Sequence, residues 1–188
     1  MSSDTSHEHP IADAVHKAQD AVGAMVGMAS AGGPLAKDAG MFAANAGAST
    51  LYEIEAGRIA LQRAQSLDIQ RFADLLVRDH QRMAATLART SGKTAELDAR
   101  RQGLLDHLSQ ASADKFDEMF LTQQLAAHRE AVTLHENFLK SDSSEGLRGV
   151  ASSALPILRQ HLAMATALQS GSSYAVAGMA RIPPAAAH

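Results

Sequence analysis

The sequence contains no cysteine and no tryptophan. Without thiols there can be no disulfide framework, no thiolate metal site and no cysteine nucleophile. Aromatic residues make up only 4% of the 188 positions, so base-stacking or sugar-stacking platforms have little to be built from. Positive charge is also scarce: 17 Lys and Arg stand against 20 Asp and Glu, for a formal net charge of -3. Nucleic acid, whose phosphates demand a clustered basic footprint, is therefore not an expected partner. No apolar run reaches the length of a membrane span. The opening MSSDTSHEHP has no basic stretch leading into an apolar core, so no secretory signal is read there and a cytoplasmic location is expected. Phosphate-cradling glycine loops, nucleophile elbows and zincin motifs are missing too, and no organic cofactor is expected.

What is present is helical periodicity. Hydrophobic residues at 46% and charged residues at 20% are ordinary for a globular chain. No sustained alternation suggests a strand. Residues 1–36 read as a polar tail and an amphipathic helix, whose apolar stripe Ile11, Val15, Ala18, Val22, Met25 and Val26 must be buried on the rest of the chain or on another subunit. That makes a second copy of the chain the candidate partner. Residues 37–171 hold four long helical segments: 38–65 with Asp38 as N-cap, 66–91 stopped by Gly92, 112–140, and one from Asp142 or Ser144 to about 169. Asp142 and Glu145 are spaced as a capping box. Short links join the first pair and the last pair, so each pair should be an antiparallel hairpin. The longer connection, 93–110, carries one short helix in ARRQGLLDHL. The expected fold is all-α, a ferritin-like antiparallel four-helix bundle with an additional N-terminal helix. Residues 172–188, rich in Ala and Pro, read as a loose tail.

The apolar stripes carry polar interruptions. Phe72, Leu75, Leu76, Met83 and Leu87 form a stripe into which Asp79 and His80 fall at helical spacing. Ala151, Ala154, Leu158, His161, Ala165 and Leu168 form a heptad series with His161 as its one polar member. On the third long helix Phe116, Phe120, Ala127, Ala131, Leu134 and Phe138 mark one side, with His128 on the adjoining ridge. Ile54, Leu61 and Ala64 mark the core of the first, where Glu53 can turn inward and Glu55 faces water. Glu53, Asp79, His80, His128 and His161 each lie near mid-helix, and antiparallel helices of similar length bring their midpoints to one level. Imidazole and carboxylate are ligands for zinc, iron and manganese, so one divalent ion is the expected occupant. An isolated inward His is more often a hydrogen-bonded core residue; several at one level favour a site. Asp117 reads as an early-helix acid facing the dipole, His107 as exposed, and His135 and Glu136 as a solvated face. Pro156 is expected to kink its helix and free the Ser152 carbonyl.

The pieces YEIEAGRIALQRA (52–64), RFADLLVRDH (71–80), KFDEMFLTQQLAAH (115–128) and ALPILRQHLAMATAL (154–168) resemble, in that order, the bacterial DUF4142 family of ferritin-like proteins of unassigned function. The resemblance spans about Leu51 to Leu168. It implies a ferritin-like bundle in which Glu53, Asp79, His80, His128 and His161 match positions that look like metal ligands or their neighbours. Many relatives look exported, which this sequence does not. Di-iron sites of the ferritin type use Glu-x-x-His on two helices, whereas Val77 and Leu158 precede His80 and His161 by three. Iron storage and di-iron oxygen chemistry are therefore not expected, and a single-ion, His-rich site is. Two other readings stand beside it. One is a structural or interaction module whose buried polar residues only fix helix packing. The other, ranked last, is a hydrolase or oxidoreductase with an open metal position.

Overall fold

A computed structural model describes residues 8–171, with side chains detailed from residue 14; the start of the polar tail (1–7) and the expected loose tail (172–188) lie outside the described residues. Every regular element in that span is helical. α1 runs Glu8–Gly32 and is followed by a 3-10 turn, Pro34–Lys37. α2 spans Ala39–Arg63, α3 Leu67–Ser91, α4 Ala99–Gln110, α5 Phe116–Leu139 and α6 Glu145–Gln169.

The boundaries follow from capping. The Asp38 carboxylate accepts the Met41 N–H at 2.8 Å, and the Ser66 hydroxyl accepts that of Ile69, satisfying donors that each helix start leaves open. Gly92, at φ 66°, supplies the left-handed residue that closes α3. Asp117 does more than face a dipole: its carboxylate accepts the N–H groups of Gln65 (3.1 Å) and Ser66 (2.9 Å), tying the α2/α3 turn to α5. α5 starts at Phe116 rather than 112, because the Lys115 N–H bonds the Ser112 carbonyl in a separate turn. At α6 the cap is Ser144, accepting from Leu147 N–H at 3.3 Å, in place of the expected Asp142/Glu145 box. The helix runs on through Pro156; Pro156 and Ser152 are both exposed, so the carbonyl freed by the proline lies on the wet side.

α2 packs on α3 and α5, and α6 packs on α5 and α3, in a ring ordered α2, α3, α6, α5. Beside a small group of Ala131, Ala154 and Leu158, two large apolar clusters fill it. One gathers Tyr52, Phe72, Leu76, Leu108, Phe116 and Phe120; the other gathers Phe42, Leu87, Leu134, Phe138 and Leu147. Along α2 and α6 the chain passes from the second cluster to the first, and along α3 and α5 from the first to the second. Ring neighbours therefore run antiparallel. Residues 92–115, with α4 among them, must return the length of the ring. Small residues let α2 approach α3: a Cβ on Gly57 would stand 2.8 Å from Val77 Cγ2 and 3.2 Å from the Ala73 carbonyl oxygen. Leu61, expected in the core, is 41% exposed instead. The inward face of α2 is built from Tyr52, Glu53, Ala56, Gly57 and Ala60, so bulk is not what marks it.

α1 lies against α5 and α4, and of the two places the sequence leaves open for its stripe, the rest of this chain is not the one used. Val15, Val22, Met25 and Val26 are exposed, Met25 by 70%, while Asp20, Gly27 and Ala31 are buried. The stripe is thus not buried within this chain; the polar and small face is. Ion pairs explain the choice. Arg100 and Arg101 both reach the Glu130 carboxylate, at 2.7 and 2.6 Å. Asp20 accepts from Gln123 Nε2 at 2.6 Å and pairs with His107 Nδ1 at 2.6 Å. The Tyr52 hydroxyl donates to Gln123 Oε1 at 2.9 Å. Turning that face to solvent would leave these groups buried with fewer partners, a larger cost than exposing four aliphatic side chains. His107, expected to be exposed, is only 20% so and stacks on His16. Among the described residues no helix is long and apolar enough to cross a membrane.

Candidate metal centre

Between the two apolar clusters lies a polar layer. α2 contributes Glu53, α3 His80, α5 His128 and α6 His161, all at most 2% exposed. One donor atom from each of the three imidazoles lies within 4.8 Å of the others. Asp79, one residue before His80, sits at the edge with its side chain 17% exposed. The structure therefore brings His80, His128 and His161 together, with Glu53 and Asp79 flanking them.

The hydrogen bonds fix the rings. His128 Nδ1 faces the Gln124 carbonyl at 2.9 Å, and a carbonyl can only accept, so Nδ1 carries the proton. His161 Nε2 faces Asp79 Oδ2 at 3.1 Å and donates to that carboxylate. The remaining nitrogens, His128 Nε2 and His161 Nδ1, then present lone pairs to each other across 3.4 Å. With both rings neutral, that gap holds no proton. His80 adds a third imidazole, its ring centroid 5.7 Å from that of His128 and 5.4 Å from that of His161, with neither nitrogen hydrogen-bonded. Glu53 Oε1 lies 3.6 Å from His128 Nδ1, while its Oε2 and the amide of Gln124, near enough to act on each other, make no hydrogen bond of normal geometry. Each such orphan costs about 1–3 kcal/mol in a native core.

The electrostatics favour neutral ligands. Burial, then the charge of His128 and His161, holds His80 well below the usual imidazole range. Burial, then His161, brings His128 down to about 3. Burial pushes the Glu53 carboxyl up to about 8, although the Gln124 amide and the Arg101 charge pull the other way. Neutral imidazole is the form that binds metal. The protonated Glu53 is a carboxyl that a nearby cation would recharge. The Gln124 carbonyl and the Asp79 carboxylate hold His128 and His161 from outside, and groups of these two kinds are the ones that orient histidines in metal sites.

Two nearby residues escaped sequence reasoning. His135, expected on a solvated face, is 6% exposed; its Nδ1 donates to the Ala131 carbonyl at 2.7 Å, and burial lowers it to about 4. Its position one heptad after His128 was the available signal. Gln124, wholly buried one turn before His128, shares that residue's side of the helix, and this spacing was the signal for it. Glu55 and Glu136, by contrast, are partly exposed and paired with Arg58 and Arg159.

An all-helical protein with a buried three-histidine cluster at mid-length is the class these features define. Residues 24–168 match the family model described as Domain of unknown function (DUF4142), and the chain belongs to that family. The match begins within α1, so residues 8–23, the larger part of that helix, lie outside it. No curated protein and no solved structure matches the chain.

Proposed function

We propose that the chain is a ferritin-like four-helix bundle, residues 37–171, that holds one divalent metal ion in its core. The ring of antiparallel helices with a single long return between α3 and α5 is the connectivity that ferritin-like folds use. His80, His128 and His161 would be the ligands. Glu53 would close the site as a carboxylate, and Asp79 would act through His161 as its orienting group or as a further ligand. The observation that carries this reading is the convergence of three buried imidazoles within 4.8 Å, with neither nitrogen of His80 hydrogen-bonded. A cation would give those nitrogens a partner and recharge Glu53, whereas a purely structural role leaves His80 unsatisfied. Zinc, iron and manganese suit the donor set. The ion would supply fixed positive charge to the apolar layer. Among the described residues no chamber for a substrate opens onto it, and holding, buffering or sensing the ion under stress is the favoured role over catalysis. Metal analysis of untagged protein, purified without added metal and then equilibrated with zinc, manganese or iron(II), tests this. One ion per chain, lost in His80→Ala, is expected; no bound metal under any condition would defeat the reading.

A second reading rests on a separate observation, the open face of α1. Ile11, Val15, Ala18, Val22, Met25 and Ala29 follow a strict 4-3-4-3-4 spacing, the seam by which one helix packs on another. The face from Ala14 to Ala29 carries no charge, because Lys17 pairs with Glu118 and Asp20 with His107. Five of its side chains, Val15, Val22, Met25, Val26 and Met28, are large and exposed, an apolar patch of the kind that marks an interface. A second copy of α1 fits it, giving a two-fold homodimer. Dimeric mass for the full chain, converted to monomeric by Val22→Glu with Met25→Glu, is expected. A monomer at all concentrations would remove the helix from this role.

A further inference from the structure

The histidine cluster is buried on every side, which raises the question of how an ion reaches it. Three cavities bear on this. A groove of about 160 Å³ runs on the surface between α3 and α6, bordered by Asp79, Arg82, Met83, Val150 and Ala154. Beneath it, a void of about 20 Å³ lies against His80, with His135, Ser49 and Thr50 around it. That is room for one water-sized particle. Met83, Val150 and Ala154 line both spaces, so one layer of side chains separates the groove from the void. A third cavity, about 150 Å³ between α1, α4 and α5, lies on the other side of the molecule, and its polar groups are already spent on the Glu130 and Asp20 networks.

The carboxylate of Asp79 reaches from the groove to the cluster. Its Oδ1 lies 3.5 Å from Arg82 Nη1 at the groove, and its Oδ2 faces His161 inside. Arg82 is 78% exposed, so the ion pair is screened and easily opened. Met83 is the one flexible member of the shared wall. Its unbranched thioether can change rotamer where valine and alanine cannot, and it is only partly buried against Ala131, Ala154 and Leu158. We infer that divalent cations enter the histidine cluster through the α3/α6 groove, received by the Asp79 carboxylate and admitted past Met83. The inference rests on the metal-binding reading above. Arg82 then acts as a weak electrostatic guard, and Met83 sets the rate of exchange without being a ligand.

The test is stopped-flow binding of Co²⁺, followed by its visible absorption, to full-length protein, with the equilibrium affinity measured separately. Met83→Ala should speed both uptake and release about tenfold, and Ala154→Leu should slow both by a similar factor, because a wall residue alters the path and not the bound state. Arg82→Ala should speed uptake at low salt and lose that advantage at high salt. Ala24→Leu, in the cavity beside α1, should change neither rate. Helix content and melting temperature identify any variant that has not folded, and Met83→Leu supplies a milder change at the same place. Normal Co²⁺ binding with rates indifferent to Met83, Ala154 and Arg82, or slowed by Ala24→Leu, would overturn the route while leaving the site intact. Absence of Co²⁺ binding by the unmodified chain would overturn both at once.

Discussion

The side chains at the centre of this protein are held in forms that suit a cation better than they suit each other. His128 and His161 each commit one nitrogen outward, to a carbonyl and a carboxylate, and turn the other inward. Glu53 and His128 shape the pH dependence of the metal-free protein in opposite senses. Glu53, raised from 4.5 to about 8, keeps a proton in the folded state that the unfolded chain has released, so stability falls as pH rises between those values. His128 at about 3 and His135 at about 4 refuse protons that the unfolded chain accepts below 6.5, so stability falls as pH drops through that range. Metal-free protein should therefore be most stable near neutrality. From pH 7 to 8 it should lose about 1 kcal/mol through Glu53 alone. Urea denaturation with a chelator present checks this: Glu53→Gln should abolish the alkaline loss and steepen the acid loss between pH 6.5 and 4.5, where Glu53 otherwise offsets the histidines. These residues were legible to different degrees. His161 is the single polar member of a clean heptad series and His80 interrupts an apolar stripe, so periodicity alone marks both. His135 was marked only by its place one heptad after His128, because α5 is covered by α6, α2 and α1 and almost no solvent face remains for periodicity to pick out.

At the scale of the helix, capping residues and small residues decide more than hydrophobic bulk. Asp38, Ser66 and Gly92 punctuate the chain where the sequence places them. Leu61 points outward because the α2/α3 contact needs Gly57 and Ala60 at the interface, and a large residue elsewhere on the helix is no guide to it. Gly57→Ala should destabilise the protein by about 1–3 kcal/mol, since the new methyl would meet both Val77 and the Ala73 carbonyl; thermal or urea unfolding reads this directly. α1 shows the limit of pattern reading. Its stripe was visible, but whether the stripe or the opposite face docks was settled by Arg100, Arg101 and Glu130, which lie about a hundred residues away in sequence. A Cβ on Gly27 would fall on the Glu130 carboxylate. Gly27→Ala should therefore loosen α1, seen as faster tryptic cleavage after Lys17, with little change in metal binding at the cluster.

At the scale of the whole molecule, two apolar clusters are separated by one polar layer to which all four ring helices contribute. That arrangement was anticipated from mid-helix placement, since antiparallel helices of similar length must bring their midpoints together. The second polar network, Asp20, Tyr52, Gln123, Arg101 and Glu130, was not, because it joins α1 and α4 to the ring by contacts that no local spacing encodes. It fastens α1 with its apolar seam outward, and the proposed dimer follows from that. The central claim is that the polar layer binds one metal ion. Calorimetric titration of the chelator-treated, full-length chain with Zn²⁺ tests it most directly. Saturation at one ion per chain is predicted, with the site lost in His80→Ala and weakened in Glu53→Gln. No saturable binding, or binding of equal stoichiometry and affinity in His80→Ala, would contradict it.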